Sequence, residues 1–273
     1  TALRGLQGRS RVSCHLRAHG TGLVFCFATA TVRFVRAARL AMRDNPTMCN
    51  RYIPPVQEII EAHWHLPAST QPAWGASVHP RAPGPFIRAN GDGRELVVGQ
   101  WALIPHFAKS VKLPYSTNNA RAEDVAQKAS YRDPWKRGQR CIIPATSFDE
   151  PNWETGKNVW WRFHRADGSP WGLAGIWNTW IDRATGEVVE SYSMLTINAD
   201  DHPLMRRMHK PDPAYGPDEQ DKRSVIPIEI SDVDSWLHGS VEDAAQLLRL
   251  APVEVFNAAP EVPERSQGRL AGL

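Results

Sequence analysis

The hydrophobic and polar positions after residue 50 predict a protein built mainly from β-strands. Segments rich in β-branched and aromatic residues and bounded by Gly, Pro or Asp are typical of strands. Five segments fit this description: 95–104, 140–143, 159–163, 171–180 and 188–197. The last two flank the short polar stretch 182–186, which ends in Gly and predicts a hairpin turn between them.

A helical periodicity occurs in shorter segments around these strands. Apolar residues at intervals of three and four predict amphipathic helices. Four segments show such intervals: 56–63, 120–129, 232–237 and 241–250. Two prolines precede the first, and Ser231 is a candidate N-cap for the third. The Pro- and Gly-rich segment 67–85 predicts a loop, and 253–256 predicts a return to strand.

These elements predict an α+β fold with a single domain. Its centre is an antiparallel, barrel-like β-sheet, and its helices lie at the periphery. The chain of 273 residues is long enough for one large domain. We assign this domain to residues 49–258, after an extension over 1–47 and before a flexible polar tail over 259–273.

The first 47 residues differ in composition from the rest. Residues 1–48 contain eight Arg, no Lys and one acidic residue, a net charge of +7, whereas the remainder has 24 basic and 28 acidic residues. The apolar run 23–32 is shorter than the ~20 residues that a membrane-spanning helix needs. Three interpretations stay open: an over-extended gene start, a disordered extension, or a leader that is removed.

The overall composition is that of a soluble globular protein, with 42% hydrophobic and 22% charged residues. The four cysteines have no CxxC spacing, so we expect neither a zinc site nor a disulfide framework, and no cofactor. Reduced cysteines suit the cytoplasm, and we expect a monomer with no membrane partner.

The net charge of +3 neither supports nor excludes nucleic acid, because a local basic stripe is enough to bind phosphates.

The dipeptide Met48-Cys49 offers unusual chemistry if Met48 is the true start and is removed. Cys49 would then carry an α-amine and a thiol on adjacent carbons. The amine condenses with an aldehyde to an imine, and the thiol closes on the imine carbon as a five-membered thiazolidine. With an amine pKa near 8 and a thiol pKa near 8.5, both nucleophiles are available at neutral pH. The alternative is a small buried hydrophobic residue.

Five segments in order give this cysteine a context. Met48-Cys49-Asn50-Arg51-Tyr52 is followed by Trp101-Ala102-Leu103-Ile104-Pro105, Asn119-Ala120-Arg121-Ala122-Glu123, Arg140-Cys141-Ile142-Ile143-Pro144-Ala145 with Phe148-Asp149-Glu150, and Met208-His209 with Arg223. In sequence and order they resemble the motifs of the SOS-response-associated peptidase (SRAP) family, which typically begins Met-Cys-Gly-Arg-Phe/Tyr. The resemblance covers about residues 48–258.

The resemblance implies a function in DNA damage. A protein of this kind captures abasic sites in single-stranded DNA as a covalent thiazolidine on Cys49, and peptidase-like self-processing exposes the cysteine. A second hypothesis is a cysteine peptidase acting on other proteins, with Cys49, His209 and either Glu150 or Asn119 as its reactive set. A third is a single-stranded DNA-binding protein without covalent chemistry.

The resemblance also implies the roles of individual residues. Glu150, predicted just after a strand, matches the family's acid–base for imine formation and sugar-ring opening, and His209 matches its catalytic histidine. His202 precedes His209 by seven residues, but no third ligand completes a metal site. Asn119 is a candidate to hold the Cys49 amine or a sugar oxygen, since its amide both donates and accepts.

Candidate DNA contacts come from basic and aromatic residues. Arg51 and Arg121 are candidate phosphate clamps, because guanidinium groups bind phosphate oxygens bidentately. The alternative for both is plain surface charge, or an ion pair with Glu123 or Asp124. Trp101 or Trp74 could stack on an exposed base.

The sequence departs from the family pattern in three places. Asn50 replaces a Gly beside the nucleophile, and Asp149 replaces a Tyr before Glu150. The negative charge of Asp149 is expected to raise the pKa of Glu150. An insertion over about 212–222 separates His209 from Arg223.

Overall fold

The computed structural model describes residues 49–261. The predictions made for residues 1–47, and for most of the tail, fall outside the described residues.

Eleven strands lie within residues 49–261. They are β1 (Tyr52–Ile53), β2 (Pro83–Asn90), β3 (Gly93–Trp101), β4 (Asn119–Arg121), β5 (Arg140–Ala145), β6 (Ser147–Asn152), β7 (Val159–Arg165), β8 (Trp171–Ile181), β9 (Val188–Asn198), β10 (Arg223–Val225) and β11 (Phe256–Pro260). The five long predicted strands are confirmed as β3, β5, β7, β8 and β9. The hairpin between β8 and β9 is also confirmed.

The larger sheet closes into a barrel. β9, β3, β2, β5 and β8 pair in that order, and β8 pairs back to β9. β4 and β10 also pair with β9. Most strand pairs of this sheet are antiparallel, as predicted, but β9 pairs in parallel with both β3 and β4. The barrel is therefore mixed, within the predicted α+β fold.

A second, four-stranded sheet lies beside the barrel in the order β1-β6-β7-β11. β1 pairs antiparallel with β6, so that Tyr52 lies opposite Phe148. β11 pairs antiparallel with β7 at the other edge. The central strands β6 and β7 therefore hold both ends of the described chain. The segment after Cys49 pairs with β6, and the segment before Glu261 pairs with β7.

Four α-helices lie within residues 49–261: α1 (Gln57–His63), α2 (Arg132–Lys136), α3 (Val233–His238) and α4 (Val241–Gln246). The helices predicted over 56–63 and 232–237 are confirmed, and that over 241–250 is shorter than predicted. None of the helices in this part of the chain is long and apolar enough to cross a bilayer. The proposed Ser231 cap is wrong, since Asp232 is the N-cap residue of α3 and makes no side-chain cap bond.

The helix predicted over 120–129 is wrong. Asn119–Arg121 forms β4 instead, with Ala120 opposite Leu195 of β9. The amide of Ala122 continues this contact by donating to the carbonyl of Thr196 at 2.8 Å. Pairing with a strand far away in sequence therefore outweighs the local helical spacing.

The last strand within residues 49–261 begins later than predicted. Val253–Val255 forms a 3₁₀ helix, and strand β11 begins only at Phe256. β11 continues through Pro260, which lies opposite Trp161, and the Glu261 amide donates to the Trp160 carbonyl at 2.7 Å. Strand β11 therefore extends two residues beyond the predicted boundary at 258, and Glu261 is hydrogen-bonded to β7, while the predicted division into domain and tail stays a prediction.

The buried side chains form two clusters. One packs α1, α3 and α4 against the barrel, with Trp64 and Trp236 among its largest members. The other lies between the barrel and the four-stranded sheet and includes Cys49, Trp101 and Met208. Trp171 and Trp180 are buried as well, and Trp177 packs against the second cluster. The second cluster is also the floor of the candidate site.

Candidate active site

Cys49 lies three residues before β1 and is only 1% exposed. Its thiol donates a hydrogen bond to the Arg51 carbonyl, with 3.5 Å between Sγ and O. Burial raises the pKa of the thiol well above its ordinary value, and the nearby negative charges of Glu150 and Asp149 raise it further. The fold therefore favours a protonated thiol at neutral pH.

Glu150 and His209 form a buried pair beside this cysteine. The sequence predicts Glu150 just after a strand, but the residue lies within β6. Its Oε2 is 2.9 Å from His209 Nε2. Both side chains are almost completely buried. Burial raises the pKa of Glu150, His209 opposes that rise, and Asp149 adds to it, as predicted from the Tyr-to-Asp difference. The pair can exchange a proton across this contact.

The backbone holds His209 in an unusual conformation. Its φ is +64°, a region that L-residues rarely occupy. The His209 amide donates to the Pro151 carbonyl at 2.6 Å, and Met208 bridges to Asn152. Strand β6 therefore positions both members of the pair. It carries the Glu150 side chain, and the carbonyl of its next residue, Pro151, binds the His209 amide.

Lys222 also supports His209. Lys222 was not identified from the sequence as a site residue. Its ammonium donates to the carbonyls of Met208 and His209, both at 2.7 Å. Burial lowers the pKa of Lys222. Its position at the end of the insertion carries no motif, so no sequence signal could have revealed the contact.

Asn119 links the barrel to the nucleophile. Strand β4 places it opposite Met194, and its Nδ2 donates to the Cys49 carbonyl at 2.9 Å. Its Oδ1 is buried and accepts no hydrogen bond among the described residues. Tyr131 holds the backbone by donating to the Asn119 carbonyl at 3.0 Å. The amide thus fixes the main chain of Cys49 and keeps one free acceptor.

The two candidate phosphate clamps are ion-paired within the protein. Arg51 binds Asp149 and also the carboxylate of Glu261, at 2.6 Å from its Nη2. Arg121 binds Asp221. An ion pair of Arg121 with Glu123 or Asp124 was the wrong alternative, and Glu123 binds Arg223 instead. Any phosphate contact of Arg51 or Arg121 therefore has to compete with a carboxylate.

Trp101 is a core residue, which corrects its assignment as a base-stacking surface. It is 0% exposed, and its indole Nε1 donates to the Asn118 carbonyl at 2.8 Å. Its ring meets the Tyr52 ring edge-on, with 5.2 Å between centroids. Trp74, the other candidate, is half-buried and packs against the first buried cluster, the one that contains Trp64 and Trp236. A base cannot reach the Trp101 ring without unpacking this core.

No group of three or more His, Cys, Asp or Glu side chains suited to a metal ion occurs within residues 49–261. His202 has both ring nitrogens engaged: Nδ1 accepts from the Leu204 and Met205 amides, and Nε2 donates to the Ala251 carbonyl. His202 therefore supports the turn that leads to His209.

The arrangement brings together four of the predicted site residues, Cys49, Asn119, Glu150 and His209. It offers a buried thiol, a neutral amide that fixes the main chain, and a carboxyl–imidazole pair for proton transfer. The imidazole contacts the carboxyl rather than the thiol. The described residues therefore contain no thiolate–imidazolium pair of the kind that activates a cysteine peptidase.

Comparison with known proteins gives a family match. The family model described as SOS response associated peptidase (SRAP) matches residues 48–262. The abasic site processing protein YobE of Bacillus subtilis is 32% identical over 139 residues, which is 50% of this chain and 62% of that protein. The abasic site processing protein HMCES of Xenopus tropicalis is 27% identical over 131 residues, 39% of its length. The chain thus spans less than two thirds of these relatives.

Solved structures share the fold. A protein of Bordetella bronchiseptica is 35% identical, with a TM-score of 0.70 over 78% of this chain and 100% of that one. A protein of Bacteroides thetaiotaomicron has a TM-score of 0.66 over 79% of this chain at 23% identity. The latter comparison bears on the fold alone.

Proposed function

Because the chain belongs to the SOS response associated peptidase family, we propose that it processes abasic sites in DNA by forming a covalent thiazolidine on Cys49. The observation that carries the proposal is the buried contact of Glu150 with His209 beside a cysteine whose main chain Asn119 holds. Relatives with this family's domain are named abasic site processing proteins. We further propose single-stranded DNA as the substrate, and a monomer that acts in the cytoplasm.

The reaction needs the α-amine of Cys49. The amine adds to the aldehyde carbon of the opened abasic sugar, and loss of water leaves an imine. The thiol sulfur then adds to the imine carbon, while the thiol proton passes to the nitrogen. The five-membered ring consists of nitrogen, Cα, Cβ, sulfur and the former aldehyde carbon, and one water is released.

The buried acid–base pair suits these proton transfers. The raised pKa of Glu150 favours its protonated form, which can protonate the departing hydroxyl. His209, in contact with that carboxyl, can restore its proton by relaying the one that the nitrogen gives up as the imine forms. A protonated thiol also suits the last step, since the thiol has to give up its proton as the ring closes.

In the full chain the Cys49 nitrogen is part of a peptide bond with Met48. An amide nitrogen is too weak a nucleophile to attack an aldehyde. We therefore propose that cleavage after Met48 precedes the reaction, and that self-processing is the peptidase-like activity of this chain.

The two rival functions have less support. A cysteine peptidase would need His209 on the thiol, but His209 contacts Glu150, and burial and carboxylates raise the thiol pKa. A purely non-covalent DNA-binding role would leave a buried carboxyl–imidazole pair without a task. No observation favours either rival.

The test compares three chains on single-stranded DNA with one abasic site, using a denaturing gel. The chain that begins at Cys49 is expected to give a shifted, heat-stable band. The same chain with Cys49→Ser is expected to give none, and so is a chain with one Gly added before Cys49, because its amine is blocked. Cys141→Ala, at the other cysteine buried within the described residues, is the control and should crosslink normally. A full-strength band from the Gly-extended chain would overturn the proposal.

A further inference from the structure

We infer that Arg51 and Arg162 form a phosphate site that Glu261 occupies in the free protein, so that Glu261 restrains the entry of DNA. The inference deepens the proposed function and rests on it for the identity of the anion. Its basis is a cluster of four charged side chains on the four-stranded sheet, Arg51, Asp149, Arg162 and Glu261, which we call the charged cluster.

The base of the charged cluster is Asp149. Strand pairing places it directly opposite Arg162, and its amide donates to the Arg51 carbonyl at 3.1 Å. The Asp149 side chain has no solvent exposure. Nε of Arg51 and Nε of Arg162 both donate to its carboxylate, the second at 3.0 Å. Both guanidinium groups are thereby fixed in place.

The outer part of the charged cluster is Glu261. Nη2 of Arg51 and Nη2 of Arg162 both lie 2.6 Å from its carboxylate oxygens. Its side chain is 29% exposed, as is that of Arg51, and Arg162 is 32% exposed. Two planar guanidinium groups that converge on one anion at the surface form the arrangement that binds a phosphate oxygen pair.

The charges favour an exchange of Glu261 for phosphate. The charged cluster holds two positive and two negative groups. Removing Asp149 would leave two guanidinium groups with a void between them, whereas Glu261 can turn into solvent. A phosphodiester carries one negative charge, as Glu261 does, so the exchange leaves the cluster neutral.

The charged cluster is connected to the reacting cysteine through the main chain of Arg51. Arg51 is two residues from Cys49 and accepts the hydrogen bond of its thiol. Asp149 precedes Glu150 on β6, and adjacent residues of a strand face opposite sides. The proton-transfer pair and the charged cluster thus occupy the two faces of one strand.

The test measures the affinity of a fluorescent single-stranded DNA without abasic sites, with all variants built on Cys49→Ser to exclude covalent capture. Glu261→Gln keeps the side-chain shape but removes the competing charge. We expect about fivefold tighter binding, from the size of exposed ion-pair effects. We also expect the slope of log affinity against log salt to become more negative by about 0.7, the value for one added phosphate contact on a single strand.

Two comparisons separate this effect from a general change of charge. Glu187→Gln, in the exposed β8–β9 turn, removes the same charge away from the charged cluster and should change affinity far less. Adding Arg162→Gln should cancel the gain from Glu261→Gln, and thermal unfolding checks that this pair of substitutions leaves the protein folded. If the Arg162 variants do not fold, the salt slope of Glu261→Gln against Glu187→Gln decides.

Unchanged affinity and slope in Glu261→Gln would overturn the inference, even if the Cys49 chain crosslinks abasic DNA. The inference would also be overturned if Glu261→Gln gained no more DNA affinity than Glu187→Gln does. Conversely, the specific gain would support the phosphate site even if no covalent adduct forms on Cys49, because the measurement contains no crosslinking step.

Discussion

Two neighbouring carboxyl groups of β6 lie in opposite environments. Glu150 faces the buried side, where it contacts His209, whereas Asp149 contacts the guanidinium groups of Arg51 and Arg162. The alternation of side chains along a strand produces this division. The consequence is that one carboxyl of the pair is suited to proton transfer and the other to holding the arginines.

Replacing Glu150 with Gln should stabilise the protein at alkaline pH while slowing crosslinking. The pKa of Glu150 in the folded protein lies above its value of about 4.3 in the unfolded chain. Protonated Glu150 therefore stabilises the fold fully below pH ~4.3, and this stabilisation is lost as the pH rises through the pKa of the folded protein. Gln stays neutral throughout. We expect a melting temperature at pH 8 about 2–4 °C above the wild-type value and a crosslinking rate at least about 100-fold lower.

Thermal unfolding at pH 5 and pH 8 measures the first effect, and adduct formation on abasic DNA measures the second. Glu154→Gln is the control of opposite sign, because hydrogen bonds from Arg207 and Asn152 lower the pKa of Glu154. Its loss should slightly lower the melting temperature at pH 8. Equal pH profiles for wild type and Glu150→Gln would contradict the assignment of Glu150.

At the scale of elements, the insertion supports the site directly. Gln220 holds its loop together by accepting from the Asp212 amide at 2.7 Å and donating to the Gly216 carbonyl at 2.7 Å. The loop then delivers Lys222 to the carbonyls of Met208 and His209. The insertion, a departure from the family pattern, therefore supplies a support for the histidine.

Lys222→Met should impair the chemistry more than the binding of DNA. Met has a similar length but no donor, so two buried carbonyls lose their partner at a cost of about 1–3 kcal/mol each. His209, at positive φ, would lose its support, and a misplaced group of this kind typically slows a reaction about tenfold to 100-fold. The crosslinking rate on abasic DNA and the affinity for intact DNA are the two measurements.

Lys112→Met is the matched control, since Lys112 is exposed and its side chain makes no hydrogen bond or ion pair within the described residues. It should change neither quantity. An equal loss of rate and affinity in Lys222→Met would indicate a DNA contact rather than a positioning role.

At the scale of the whole molecule, the barrel closes where β3 and β9 pair in parallel, with Gln100 opposite Ser191. Ser191 strengthens this seam, because its hydroxyl accepts from the Ile104 amide at 2.9 Å and donates to the Asn178 carbonyl at 3.1 Å. Gly99 lies beside it without a side chain. A Cβ there would lie 2.8 Å from the Glu190 carbonyl oxygen and 2.9 Å from the Phe86 ring.

Gly99→Ala should therefore destabilise the entire fold. The added methyl group forces β3 away from β9, and overpacking of this kind costs about 1–3 kcal/mol. The melting temperature should fall by about 2–4 °C for each kcal/mol in a domain of this size. Gly93→Ala, on the same strand, is the control, because its nearest neighbour would be 3.6 Å away. An unchanged melting temperature for Gly99→Ala would show that the two strands can separate without loss.

Much of this architecture was accessible from the sequence. The long strands β3, β5, β7, β8 and β9 were predicted because runs of β-branched and aromatic residues record burial on a sheet. The residues Cys49, Asn119, Glu150 and His209 were found through motifs, and the structure brings all four together.

The remaining features depend on contacts between distant segments, which a local pattern does not record. β2 and β6 contain Pro, Gly or acidic residues and form strands only because their neighbours pair with them. β4 displaced a predicted helix because β9 supplied its hydrogen bonds. The burial of Trp101, the contact of Lys222 with His209, and the charged cluster that joins Arg51 to Glu261 arise in the same way. Sequence periodicity reports which face of an element is buried, whereas the packing of the whole chain selects the partner on that face.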